Sequence, residues 1–392
     1  MVLTVLLAGV LLLPVSADGE EAHGDFDAYV TYPDCPDVGP YLLLEVQSGA
    51  VLCARAEDRL AYPASLVKLM TGYLAFLELE FRMDEPVTLT ADMLRGTAGR
   101  SLQLQTGEIV TGSDLLHGLL VGGYNDCASA LAVLCAGSVG AFVERMNETA
   151  SALGMAHTSY LNPTGLHEEG MVTTAADTAR LCRAILQIPE LVRMTSLPVY
   201  SMPATDLSDA RQIWNRNDLV SNYRVNTYYD PTCRGLNAGM TDEGGFCLAT
   251  TRVDGTGAHA YLCIVLGGRE RQDGKITSML CAGTLLDWAD SAFSWQVLAR
   301  AGTPLLEIPV SGGLKETVPL GVEKDLLCFL PRNEKIRDEV ERMVRLTADR
   351  LRNAQRVIRM GNCNDNIRTV YVKSWVNEAR RGITDPNVSL GV

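Results

Sequence analysis

The segment Ala61–Leu79, "AYPASLVKLMTGYLAFLEL", constrains the fold more than any other stretch. Read as a helix, it shows no polar face until Glu78. A helix that is apolar on almost every side belongs in the interior, covered all round by other elements. At 392 residues and 47% hydrophobic content the chain can build the core this requires. One residue resists the pattern. Lys68 stands one turn after Ser65, where burial penalises an ammonium. A lysine near a helix end can snorkel to water, which is the bland explanation. The sharper one is that Lys68 takes a proton from Ser65.

That chemistry is within geometric reach. Positions three apart lie on one helix face, with Cβ atoms ~5–6 Å apart. A lysine bending back over one turn can bring its amine within ~3 Å of the serine oxygen. An apolar surround lowers the lysine pKa toward neutrality. The helix N-terminus favours negative charge growing on the serine oxygen. The Ser65 amide has no intrahelical acceptor and can help to hold an oxyanion. A neutral amine beside a hydroxyl is a base–nucleophile pair. S-x-x-K alone is a weak signal, because long chains contain it by chance. Its place at a helix start after "YPA", behind a hairpin, gives it weight.

The rest of the chain arranges itself around this helix. "YLLLEV-QSG-AVLCARA" (41–56) reads as a β-hairpin. "TGSDLLHGLLV" carries a T-x-x-D cap from Thr111 to Asp114. "YNDCASALAVLCAG" is a helix closed by Gly137, and another helix starts near Thr173 or Thr174. Residues 198–231 are polar and turn-rich. "CRGLNAGMT" is a short strand, "GFCLATTRVDGTGAHAYLCIVLGG" a hairpin, and "ITSMLCAGTLLDWADSAF" a closing helix. Strands at both ends with helices between predict one mixed sheet whose first and last strands are neighbours, with a helical insertion. The pattern changes near 300, at "RAGTP". Residues 303–392 form a smaller unit of short alternating runs, although 333–360 also has helical spacing.

Composition narrows the function. The formal net charge of −13 speaks against non-specific nucleic-acid binding. The 5 histidines are scattered, without metal-ligand spacing, and His117 on an amphipathic helix reads as a packed or surface residue. "VLTVLLAGVLLLPV" followed by "VSA" reads as an export signal over residues 1–17. No second apolar run approaches ~18 residues, so no membrane span is expected in the mature protein. The 11 cysteines are an odd number, several inside apolar runs. Mostly free buried thiols are favoured over a disulfide framework, which the sequence leaves open.

Several blocks, in order, now carry a resemblance. "YPASLVKLMTGYL", "GEIVTGSDLLHGLLVGGYNDCASALA", "NPTGLHEEGMVTTAADTARL", "IWNRNDLV", "GLNAGMTDEGGFCLAT" and "AYLCIVLGG" resemble the serine-type D-alanyl-D-alanine carboxypeptidases, the low-molecular-mass penicillin-binding proteins. The likeness spans about 38–295, and the region after 303 is similar to that family's small C-terminal β domain. It implies an α/β serine-hydrolase fold of the DD-peptidase and β-lactamase type. That fold has a mainly antiparallel sheet flanked by helices, a helical subdomain, and a mostly β C-terminal domain. It also overrules the helical pattern at 333–360.

The family's marks are S-x-x-K, S-x-N and K-T-G. The first is intact, and the resemblance makes Ser65 the acylated nucleophile and Lys68 its base. The second reads Gly123-Tyr124-Asn125, so the asparagine that holds the peptide carbonyl is kept and the serine is lost. Tyr124 is either a substitute hydroxyl or a cleft-lining aromatic. The third reads Asn237-Ala238-Gly239, without the lysine and threonine that engage the substrate carboxylate. Arg234 or Arg252 is a candidate source of the missing charge. Gly239 permits close approach, and the Met240 amide corresponds to the family's second oxyanion donor.

The expectation is an exported D-Ala-D-Ala carboxypeptidase acting on peptidoglycan stem peptides at the outer face of the cytoplasmic membrane or outside the cell. It would have altered carboxylate recognition, acylation by β-lactams, and no cofactor. A catalytically impaired relative that binds cell-wall peptide or a partner is the alternative. Related serine chemistry such as an esterase or β-lactamase-like hydrolase is a third, although Glu168 and Glu169 read as loop charges rather than a second base. The tail "ARRGITDPNVSLGV" has no apolar face, so at most loose membrane attachment is expected.

Overall fold

The computed structural model describes residues 21–22, 30–302, 304–311, 317–321, 325–338 and 358–359. The export segment expected at 1–17 and the C-terminal tail lie outside these residues. The chain divides into two compact units, one containing Thr31–Ser291 and the other running from Ala292.

The first unit is built on a six-stranded antiparallel sheet. Its members are β1 (Glu21–Ala22), β2 (Tyr41–Glu45), β3 (Val51–Arg55), β8 (Cys233–Thr241), β9 (Gly245–Val253) and β10 (His259–Gly268), in the order β1-β3-β2-β10-β9-β8. Leu43 faces Cys53 on one neighbour and Cys263 on the other, so the first hairpin and the last strand are adjacent, as the pattern predicts. All five residues of β2 are buried, because both faces of the sheet are covered. Leu42, Leu44, Leu262, Ile264 and Leu266 share one core with α1 (Val67–Leu79). On the sheet, Arg252 of β9 reaches Asp287 and Asp290 of α7 (Thr277–Ala292) at 2.8 Å each. β8 is an edge strand, with one side unpaired by the sheet.

Helices fill the insertion between β3 and β8. The apolar segment is central, as its sequence demands. Ten residues of α1 are buried, and the helix meets water mainly at Leu77 and Glu78. Around it lie α2 (Gly112–His117), α3 (Asn125–Ala136), α4 (Val139–Ala152), α5 (Ala175–Ile185) and α6 (Pro189–Thr195). Local signals set their ends. Thr111 and Asp114 form a reciprocal capping box. Gly137, at φ +77°, closes α3, and Thr174 caps α5 by accepting from the Asp177 amide at 3.0 Å. His117 is a packed residue, stacked on Tyr200 at 3.9 Å. Two short ribbons escape the sequence pattern: β4 (Pro86–Thr88) with β5 (Ile109–Thr111), and β6 (Val199–Met202) with β7 (Arg211–Trp214). Strands of three or four residues offer too few alternations to read.

The passage to the second unit falls at Ser291–Ala292, ahead of "RAGTP". The reason is that β11 (Phe293–Ala299) pairs with β14 (Leu326–Pro331). β12 (Pro304–Ser311) pairs with β13 (Thr317–Gly321) and with β15 (Ile358–Arg359). Residues 334–338 are helical, within a unit whose other described elements are strands, in keeping with a mostly β domain. The Asn333 side chain caps this helix by accepting from the Lys335 amide at 3.0 Å. Residues 339–357 lie outside the described residues. Among the described residues no single helix is long and apolar enough to cross a membrane. The ten described cysteines are free thiols, nine buried and Cys135 half-buried.

Candidate active site

The site begins with a backbone constraint. Ala64 takes φ +47°, a left-handed value uncommon outside glycine. It opens a 3-10 turn over Ala64–Leu66 that passes into α1 at Val67 and leaves Ser65 half-buried at the helix mouth. Two glycines clamp this turn. A Cβ on Gly165, itself at φ +75°, would lie 2.1 Å from the Ala64 carbonyl oxygen. A Cβ on Gly239 of β8 would lie 2.3 Å from Ser65 Cβ and 2.5 Å from its Oγ. Only bare backbone fits at either place. The degenerate third motif is thereby pressed directly against the serine.

Lys68 is 1% exposed. Its Nζ lies 3.3 Å from Ser65 Oγ and also donates to the Thr164 carbonyl. Burial, aided by the positive charge of Arg100 and opposed by Cys127, lowers its pKa to about 7. Near neutral pH a large fraction of the amine is thus free to accept the serine proton.

The Thr164 carbonyl is itself held. Asn162 Oδ1 accepts from the Thr164 amide, the Thr164 hydroxyl and the Gly165 amide at 3.1, 2.8 and 2.8 Å. Asn162 Nδ2 donates to Glu168 at 2.7 Å. Glu168 and Glu169 are exposed loop residues, and Glu168 is tied to the turn through Asn162. The "NPTG" turn is legible in sequence, but its service to Lys68 is not.

The second motif follows a π-helical turn, Gly118–Gly122. Gly123 then takes φ +71°, Tyr124 is extended, and Asn125 begins α3. The Asn125 side chain is buried and donates to the Ala98 carbonyl at 2.7 Å, while its amide donates to the Arg100 carbonyl at 2.8 Å. Asp126 accepts from Ser101 Oγ at 2.7 Å and from the Leu102 and Leu104 amides at 3.0 and 3.2 Å. These bonds fasten the segment 98–104 to the head of α3. Sequence reasoning singled out neither Asp126 nor Arg100.

Tyr124 is half-buried beneath Arg100, whose guanidinium stands 4.7 Å from the ring centroid. Arg100 Nη2 donates to the phenol at 3.4 Å, and Nε donates to the Gly122 carbonyl at 2.7 Å. The described hydrogen bonds link the phenol to Arg100 and not to Ser65 or Lys68.

In the third motif Asn237 and Ala238 are buried, and the Met240 side chain is 44% exposed. Asn237 Oδ1 is buried and has no hydrogen-bond partner among the described residues. Of the two arginines sought as a source of charge, Arg252 is neutralised by carboxylates. Arg252 is committed to Asp230, Asp287 and Asp290 at 2.5–2.8 Å. Arg234 Nη1 is bonded to the Pro231 and Cys233 carbonyls at 2.8 Å each.

The structure therefore places Ser65 in contact with both Lys68 and Gly239, and bonds the Gly123–Asn125 segment to the one that carries Arg100. A base–nucleophile pair against a sheet edge can perform acyl transfer.

Comparison with known proteins agrees. The family model for D-alanyl-D-alanine carboxypeptidases matches residues 31–269. The D-alanyl-D-alanine carboxypeptidase DacF of Bacillus subtilis is 26% identical over 342 residues, 86% of this chain and 82% of the relative. DacD of Escherichia coli K12 is 31% identical over 318 residues, 77% of this chain and 76% of the relative. Among solved structures, penicillin binding protein 5 from Haemophilus influenzae superposes with a TM-score of 0.63 at 26% identity, covering 78% of this chain and 86% of that one. Penicillin-Binding Protein D2 from Listeria monocytogenes, in its cefotaxime-bound form, superposes with a TM-score of 0.55 at 25% identity, covering 66% and 99%. The α/β DD-peptidase fold and the sequence likeness point the same way, and the chain belongs to the D-alanyl-D-alanine carboxypeptidase family.

Proposed function

We propose that the protein is a serine-type D-Ala-D-Ala carboxypeptidase that removes the terminal D-alanine from peptidoglycan stem peptides through an acyl-Ser65 intermediate. The observation that carries this reading is the Ser65–Lys68 contact at 3.3 Å, with the lysine fully buried and its pKa lowered to about 7. As Ser65 Oγ attacks the carbonyl carbon of the penultimate residue, its proton passes to Lys68 Nζ. The Ser65 and Met240 amides receive the oxyanion. Asn125 holds the substrate's peptide carbonyl. The C–N bond then breaks, and D-alanine leaves with a proton on its amine. The second motif offers no serine to relay that proton, so the Lys68 ammonium returns it directly. Water then attacks the acyl-serine, losing its proton to the neutral Lys68, and the Lys68 ammonium returns that proton to Ser65 Oγ as the acyl–oxygen bond breaks and the shortened peptide leaves.

The cefotaxime-bound form of the Listeria monocytogenes protein supports acylation of Ser65 by β-lactams. The apolar run at 1–17 supports export, and a peptidoglycan substrate puts the work outside the cytoplasm. Every step above is a proton transfer or acyl transfer between named groups, and none calls on a cofactor.

The test is D-alanine release from diacetyl-lysyl-D-Ala-D-Ala as a function of pH. Lys68 must be neutral to act, so kcat/KM should rise with pH through a limb near the lowered value of about 7 and then level off. No release by folded protein, or a rate independent of pH across that limb, would reject the reading.

A further inference from the structure

The carboxypeptidase reading leaves a gap. Its substrate ends in a full negative charge, and the third motif has no lysine to meet it. Asn237 brings no charge, and among the described residues its buried oxygen is an acceptor without a donor. Arg252 is paired with three carboxylates, and Arg234 Nη1 is bonded to the Pro231 and Cys233 carbonyls at its own end of β8. The positive charge lies instead at the other degenerate motif.

Three arginines crowd there. Arg216 is half-buried, and its Cγ would lie 3.5 Å from a Cβ built on Gly123, the residue standing where the family has its serine. Arg100 covers the Tyr124 ring and holds the Gly122 carbonyl. Arg224 is the third, and it is satisfied: it pairs with Asp218 at 2.6 Å. Among the described residues neither Arg100 nor Arg216 has an ion-pair partner, and burial together with the charges of Arg224 and Arg100 lowers the pKa of Arg216. Like charges so gathered repel, and an anion placed between them relieves that repulsion. The cluster is also pre-set. Asn125 and Asp126 fasten the segment bearing Arg100, and the Arg216 amide donates to the Val121 carbonyl at 3.1 Å. Planar guanidiniums suit a carboxylate, which they can grip with paired, charge-assisted hydrogen bonds.

We propose that Arg100 and Arg216, gathered around Gly123 and Tyr124, bind the terminal carboxylate of the substrate in place of the lysine absent from the third motif. The loss of the serine side chain at Gly123 and the loss of the lysine then belong together, because carboxylate recognition has moved from the β8 edge to the wall formed by the second motif. The proposal rests on the carboxypeptidase reading, and its test separates the two.

Equilibrium binding to Ser65→Ala protein is measured by calorimetry, with diacetyl-lysyl-D-Ala-D-Ala and its C-terminal amide as probes. The free acid should bind about tenfold more tightly. Arg100→Gln/Arg216→Gln in the same background should abolish that preference while leaving amide binding unchanged. Arg216→Lys should keep part of it. In the Ser65-containing protein, assayed above the Lys68 limb, the double variant should raise KM about tenfold with kcat little altered. A preference that survives the double variant, an equal loss of acid and amide, or no preference at all would overturn the proposal. D-Alanine release with an arginine-independent preference would overturn it and leave the enzyme reading standing. An arginine-dependent preference without D-alanine release would uphold it and sink the enzyme reading.

Discussion

Lys68→Ala is expected to lower kcat/KM for D-alanine release by about 10²–10⁴-fold, the range a positioned general base contributes. The structure makes this residue hard to replace. It is the amine bonded to Ser65, and it reaches the Thr164 carbonyl that the Asn162 network holds in place. Removing it also leaves a buried carbonyl unpaired, which costs about 1–3 kcal/mol of stability. Lys68→Met keeps most of the buried volume, so it separates lost chemistry from lost packing. Both variants should fall in activity alike and differ in melting temperature. If Lys68→Met kept activity within tenfold of wild type, the proton would be travelling by another route.

Gly239→Ala is expected to cost about 100-fold or more in kcat/KM. The added methyl would sit 2.3 Å from Ser65 Cβ and 2.5 Å from Oγ, well inside van der Waals contact. The strand and the helix mouth must part to accept it. A displacement of about 1 Å at a nucleophile is enough for a loss of this size. Overpacking adds about 1–3 kcal/mol of destabilisation. Gly140→Ala is the control. It lies in α4, and a Cβ there meets nothing within 4 Å. Activity of that variant should match wild type. Unchanged turnover in Gly239→Ala would mean that the contact between the third motif and Ser65 is dispensable.

How much of this could be read from the residues follows a physical division. The central helix was legible because a stretch apolar on all sides has one place to go. Helix ends were legible where a single side chain closes them, as at Thr111, Thr174 and Gly137. The adjacency of the first and last strands followed from strands at both ends of a helical insertion. The ribbons at β4–β5 and β6–β7 were not legible, since their strands are too short to show a period. At 334–338 the helical spacing shows as a short helix, within a unit whose other described elements are strands as the family likeness implied.

Within the site, Ser65 and Lys68 were legible because their spacing is local. What surrounds them is not local. The Gly165 and Gly239 clamps join residues far apart in sequence, and no motif announces that a Cβ would collide. Arg100 was silent for the same reason. It sits in a loop, and its importance comes from Asp126 and Tyr124, which the fold brings to it. Arg252 shows the converse. It looked available in sequence and proved to be held by three carboxylates.

Intact-protein mass spectrometry after incubation with a penicillin, on wild type and Ser65→Ala, tests the central claim most directly. The claim is that Ser65 remains an activated nucleophile although two of the three motifs are altered. It predicts one covalent adduct per wild-type chain, localised to Ser65 by peptide mapping and absent from Ser65→Ala. No adduct on folded wild-type protein at high ligand concentration, or an adduct that persists in Ser65→Ala, would contradict it.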